Sequence, residues 1–91
     1  MNRVQAEIAG IMLPTDFPSV DHALPVLWEH VRELPIREAH RDYIRFCIGP
    51  GGGEGVTRCL ARGNSWSTTL YVGEMTDPTA PAYPIVISPH P

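Results

Sequence analysis

The chain has 91 residues, of which 43% are hydrophobic and 19% charged, and its formal net charge is −3 at pH 7. That length excludes two ordinary domains, and that composition excludes a disordered chain. The acidic balance argues against a general nucleic-acid binder, because neutralising phosphates takes a basic surface, and no apolar run approaches the roughly 20 residues that span a bilayer.

A single domain over residues 1–91 is therefore expected. At this size it buries roughly 60–70% of its unfolded surface, enough to fold without a disulfide or metal staple but with little room for a deep pocket. Function is expected on the surface, and homodimerisation would be an economical way to complete a sheet or core. All seven basic residues are arginine, and with ten prolines and eight glycines this is the usage of a GC-rich coding sequence, bacterial or phage. The start, Met1 to Glu7, lacks the continuous apolar stretch of a secretory signal, so a cytoplasmic location is expected.

Residues 2–13 fit two periods. Val4, Ile8, Ile11 and Met12 have helical spacing, with Asn2 as N-cap, Gln5 three residues on and Pro14 as a stop. Val4 to Ile8 also alternates as a strand, and Gly10 would cost a helix interior about 1 kcal/mol. Helix is the preferred reading. Residues 14–19, with two prolines, read as a connector. A clear amphipathic helix follows: Leu24, Leu27, Trp28, Val31 and Leu34 make one apolar stripe, with Glu29, His30, Arg32 and Glu33 opposite. Asp21 as N-cap would place Pro25 in the first turn, and Pro35 ends the helix.

Ile36 to Asp42 adds one or two helical turns, and β-forming residues then begin at Tyr43. The favoured reading of 43–48 is a strand with Ile44, Phe46 and Ile48 facing inward. Its competitor is a helix running to Ile48, which would stack Arg37, Arg41 and Arg45 in a repulsive row. Residues 49–55, rich in glycine, form a loop. Residues 56–62 and 66–72 read as two further strands joined by a tight turn at Gly63-Asn64-Ser65. A three-residue turn there would put Ile44, Phe46, Ile48, Val56, Leu60, Trp66, Leu70 and Val72 on one face. Residues 76–91 carry five prolines and form an extended tail, in which Tyr83 to Ser88 is a short edge strand. The expected fold is α+β: a three- to four-stranded antiparallel sheet with one or two helices on one face.

Few residues advertise chemistry. The loop Gly51-Gly52-Gly53-Glu54 resembles no phosphate-binding pattern, since no Lys-Ser or Lys-Thr follows and Glu54 would repel a phosphate. His22, His30 and His40 never fall at the i, i+3 or i+4 spacing of a chelating helix pair, so no metal is expected, and no cofactor. Cys47 and Cys59 lack C-x-x-C spacing. On adjacent strands they would share a face with Tyr43 and Arg45, where the arginine could activate Cys47 as a reactive thiol, although a small apolar patch is the favoured reading. Arg45 and Arg58, together with the glycine loop, are the candidate anion-binding groups, because guanidinium and freed amides both suit a phosphate or carboxylate.

No nucleophile elbow or paired catalytic carboxylates are present, which points away from an enzyme. Two functional classes follow. The first is a small protein-interaction module, an adaptor, regulator or inhibitor acting through a strand edge, a helix face or the glycine loop, with another protein as partner. The second is a small-ligand or anion-binding domain using Arg45, Arg58 and the loop.

Overall fold

The structure, a computed structural model, describes residues 3–73 and 79–89. Asn2, expected as an N-cap, and residues 76–78 and 90–91 of the expected tail lie outside the described residues. The elements in chain order are β1 (Val4–Ile8), β2 (Met12–Phe17), α1 (Val20–Val31), α2 (Glu38–Ile48), α3 (Glu54–Ala61), β3 (Trp66–Tyr71) and β4 (Ala82–Pro89). The four strands form one antiparallel sheet in the order β2-β1-β4-β3, and the helices pack against it, so the α+β class holds.

The N-terminal segment is a strand and not a helix. Val4, Ala6 and Ile8 are buried while Gln5 and Glu7 are not, which is the alternation of a sheet covered on one face. Gly10 then reverses the chain at φ +84°, with Ile11 N–H donating to Ile8 C=O at 2.9 Å. A side chain there would be strained and would press on the Tyr83 ring, 3.1 Å from the position of a Cβ. The expected connector 14–19 is mostly β2, an edge strand, where Pro14 is tolerated because an edge can spare a donor.

Helix α1 buries Val20, Ala23, Leu27 and Val31, with Leu24, Trp28 and Leu34 half-buried beside them. Its N-cap is Ser19 and not Asp21, which sits in the first turn, so Pro25 lies deeper in the helix than expected. The helix ends at Val31, with Arg32 as C-cap, before Pro35 is reached, so Leu34 of the expected stripe lies outside it, and Ile36 beyond makes a parallel bridge with Gly73.

The largest departures from expectation are 43–48 and 56–62, which are helices α2 and α3 and not strands. Helix α2 buries His40, Ile44 and Ile48 at i, i+4 and i+8, while Phe46, expected inward, is 78% exposed. Intrinsic preference separates these residue types by only tenths of a kcal/mol in a helix, whereas burying each isoleucine is worth about 1.5–3 kcal/mol. Burial wins. The arginine row does not prevent the helix: Arg41 folds back and donates to the Leu34 carbonyl at 3.0 Å.

Gly63 likewise makes no hairpin turn. It closes α3 at φ +78°, with Gly63 N–H donating to Leu60 C=O at 3.0 Å and Asn64 N–H to Cys59 C=O at 3.1 Å. This is the Schellman arrangement that satisfies terminal helix carbonyls. Strand β3 matches its expected position, but β4 is an interior strand and not an edge. Pro84 survives there because its peptide faces β1 just past the end of that strand, where its carbonyl accepts Ala9 N–H at 2.9 Å.

The glycine loop turns tightly from α2 into α3. A Cβ on Gly52 would lie 2.2 Å from the Phe46 carbonyl oxygen, and one on Gly53, at φ +93°, would lie 2.5 Å from Leu24 Cδ1. Gly55, inside α3, has open space around it and no positive φ. Gly52→Ala and Gly53→Ala should each destabilise the fold, by about 1–3 kcal/mol, whereas Gly55→Ala should stabilise it by up to about 1 kcal/mol. Urea midpoints of the three variants check this, and a neutral Gly52→Ala would refute the tight packing.

Candidate functional site

The sheet has two unlike faces. Val4, Ala6, Ile8, Leu70, Ile85 and Ile87 point into the helices, while Gln5, Glu7, Ser67, Thr69, Tyr71, Pro84 and Val86 point the other way and are exposed or half-buried. No helix covers this second face among the described residues.

Helix α2 stands beside the free edge of β3 and turns part of that face into a groove of about 750 Å³. Ala39, His40 and Tyr43 of α2 form one wall. Ser67, Thr68, Thr69 and Tyr71 of β3, with Pro84 and Val86 of β4, line the rest. None of these side chains carries a formal charge at neutral pH, if His40 is neutral. Its hydrogen bond shows that it is.

His40 Nε2 accepts the backbone N–H of Tyr71 at 3.0 Å. A backbone amide only donates, so Nε2 must be unprotonated and the imidazole proton must sit on Nδ1. The ring stacks on Tyr43, with centroids 6.1 Å apart and planes 19° apart, and meets Tyr71 at 5.6 Å with a tilt of 60°. Burial among these groups pushes the His40 pKa below its ordinary 6.5. The Tyr43 hydroxyl, within 3.3 Å of Thr68 Oγ1, makes a second link between α2 and β3. The half-exposed Tyr43 ring therefore belongs to both the groove wall and its attachment.

The direction of the Tyr71 amide also fixes the rest of the edge. In an antiparallel ladder, successive residues point their N–H and C=O alternately toward and away from the partner strand. Val72 N–H donates to Pro81 C=O at 3.0 Å, on the β4 side, and Tyr71 N–H points away toward α2. Thr69 and Ser67 share the parity of Tyr71, and the β3–β4 register runs without a break from Trp66 to Tyr71. Their main-chain groups therefore face out along the groove.

The residues singled out in the sequence fall elsewhere. Arg45 lies in a separate cleft of about 420 Å³ with Asp42, the exposed Phe46, Pro50, Gly51 and Gly52. Arg58 lies in another, of about 460 Å³, with Asp21, Leu24, Gly52, Gly53 and Glu54. The two arginines do not converge on one site, and Arg58 is already paired with Glu54 at 2.8 Å. Two of the loop amides are committed too: Gly52 N–H donates to Gly49 C=O at 2.9 Å and Gly53 N–H to Phe46 C=O at 3.2 Å. What these clefts offer an anion is thus a carboxylate beside each guanidinium.

Cys47 and Cys59 sit on α2 and α3, so the shared strand face expected for them does not exist. Both are half-buried free thiols. Burial pushes the Cys47 thiol up, and a side-chain hydrogen bond with Tyr43 opposes this less strongly, so the thiol form persists at neutral pH. No three His, Cys, Asp or Glu side chains come together as a metal cage among the described residues, and His22 is engaged by Ser19 Oγ at 2.8 Å. No helix among them is long and apolar enough to cross a membrane.

In the sequence His40 stands out only as a metal-ligand candidate, and nothing local ties it to the β3 edge. Its partner, Tyr71, lies 31 residues away, and no local pattern joins them. No family model, curated protein or solved structure matches the chain.

The His40 contact makes stability depend on pH. The unfolded chain takes up a proton near the ordinary value of 6.5, while the folded state resists it to lower pH. This contribution is fully present above the unfolded value and is lost as pH falls through the folded one. Stability should therefore drop between about pH 7.5 and 5.5, above the main carboxylate range. His40→Gln keeps an acceptor without the titration and should flatten this component. Urea unfolding of both proteins at the two pH values checks it, and an unchanged slope in the variant would assign the effect to other groups.

Proposed function

We propose that the protein is a small protein-interaction module, and that its docking surface is the groove between α2 and the β3 edge. The observation that carries this reading is the outward row of main-chain groups on Ser67 and Thr69 lying inside a groove whose described lining is uncharged. Exposed strand edges recruit partner chains because each unpaired N–H and C=O gains a hydrogen bond there. The apolar parts of Tyr43, Tyr71, Pro84 and Val86 supply the surface to be buried beside that edge. A partner bound this way would make the domain an adaptor, regulator or inhibitor without any chemistry of its own.

A small-ligand role built on Arg45 and Arg58 draws less support, since the two guanidiniums line different clefts, each with a carboxylate.

Val86 sits on the helix-free face, so Val86→Arg should leave the fold intact while placing a charge in the groove. Ser67→Glu does the same from β3, where the side chain is exposed on that face. A tagged pull-down from lysate of the native host should retain a partner on the wild-type domain, and each variant should lose it by tenfold or more, about 1.4 kcal/mol. Equal retention by both variants, with circular dichroism unchanged, would sink the groove as the docking surface.

A further inference from the structure

We infer that the partner enters as an extended, uncharged polypeptide segment that adds to β3 as a fifth strand, hydrogen-bonded to Ser67 and Thr69. The inference rests on the docking groove proposed above and specifies what fills it.

Three features select an extended main chain over a helix, a small molecule or a folded surface. The first is chemical. Ser67 and Thr69 each present one N–H and one C=O outward, four groups at the spacing of a strand. Among the described residues, none has a main-chain or side-chain partner. Only another backbone in β conformation offers donors and acceptors with that repeat.

The second feature is that the molecule already uses this lane. Past the end of β3, Ile36 pairs with Gly73 in a parallel bridge, occupying the position of a fifth strand for one residue. The chain then turns into α2, and His40 takes the next outward amide, that of Tyr71. Gly73, Tyr71, Thr69 and Ser67 share one parity, so the lane is filled at the first two positions and open at the last two. An incoming segment would complete what Ile36 and His40 begin.

The third feature is length and charge. Two open positions suit a segment of about four to five residues, too short a pairing for a symmetric edge-to-edge dimer, and α2 flanks the lane on one side. Among the described residues the groove lining carries no formal charge, so a charged side chain turned toward Pro84 would lose water without meeting a counter-ion there, and an acidic one turned toward Val86 would also meet Glu7, its partner across β1–β4. The occupant is therefore expected to place small or β-branched apolar residues at alternate positions.

The test uses the whole chain and a displayed library of random seven-residue peptides. Enriched peptides should share an uncharged alternating core and lose binding to the Val86→Arg protein. An N-methyl scan of one such peptide should weaken binding by about tenfold at alternate residues and little at those between, because only one parity points its N–H at β3. Thr69→Pro should weaken binding at least as much. Its lost N–H is one that faces away from β4, so the β3–β4 ladder stays whole. The N-methyl scan decides the matter even if the proline variant proves unstable.

Peptides that need Val86 but are indifferent to N-methyl parity would overturn strand addition and leave the groove standing. So would failure to enrich any peptide while a lysate partner still depends on Val86. Binding untouched by Val86→Arg would overturn both. Sedimentation showing a dimer at micromolar concentration that Thr69→Pro dissociates would replace the peptide with a second copy of the chain.

Discussion

Neither half of the sheet could stand by itself. A two-stranded antiparallel ribbon is marginal in water, and β1–β2 and β3–β4 are two such ribbons. They become one sheet only where β1 pairs with β4, from Val4 opposite Pro89 to Ile8 opposite Ile85. That seam brings the two ends of the described chain together and holds Ala6, Ile8, Ile85 and Ile87, all fully buried. It is also the contact of greatest sequence separation, so its closure entropy must be met before most of the apolar face can form. Everything packed on that face depends on it, including the hold of α1 on β1 and of α3 on β4.

The groove follows from how the remaining helix is placed. With α1 over β1 and β2 and α3 over β4 and β3, α2 packs against its two neighbours and reaches the sheet at its β3 border. A helix in that position must deal with unpaired strand amides, which are costly if buried without a partner. His40 accepts one of them and Ile36 engages the edge beyond. Because the imidazole must stay neutral to accept, the attachment of α2 is tied to the protonation state of one buried side chain. The same helix carries Tyr43, half exposed, and Phe46, 78% exposed, on its outer side. Its apolar character is thus not confined to the core stripe.

What could be read from the sequence was whatever burial made periodic within one element. Leu27 and Val31 of α1 announce themselves because charged residues occupy the other side of the same turn. The alternation of Val4 to Ile8 was equally plain, yet Ile11 and Met12 extended a competing helical period past Gly10, whose real task is a turn. For α2 and α3 the local signal pointed the wrong way: Tyr43 to Ile48 are β-formers, and only burial of Ile44 and Ile48 against α1 and α3 decides for helix. Gly63 misled for a related reason, because a left-handed glycine serves a hairpin and a Schellman cap alike. The sheet class is legible even though the β-like segments 43–48 and 56–62 are helical, since β1 and β2 at the N-terminus stand in their place. The site was illegible because it is made of direction, not composition. Which way the Thr69 amide points depends on its register with β4 and on nothing in residues 66–71 themselves.

The two edges of the sheet are guarded differently, and the contrast bears on function. Edge strands invite unwanted pairing, and proteins blunt them with proline, charge, bulges or cover. Strand β2 has several of these devices: Pro14, Asp16 and a register shift where it meets β1 between Ala6 and Ile8. Strand β3, Trp66-Ser67-Thr68-Thr69-Leu70-Tyr71, has no proline, no glycine, no charge and no break in register. Its protection is cover alone, supplied at the Tyr71 end by His40 and Ile36 and, among the described residues, absent at Ser67 and Thr69. An edge that is regular, rich in β-forming residues and covered over only part of its length is poorly defended if its role is to remain unpaired. It is well suited to accepting one short strand, with the flanking helix limiting how much more can follow.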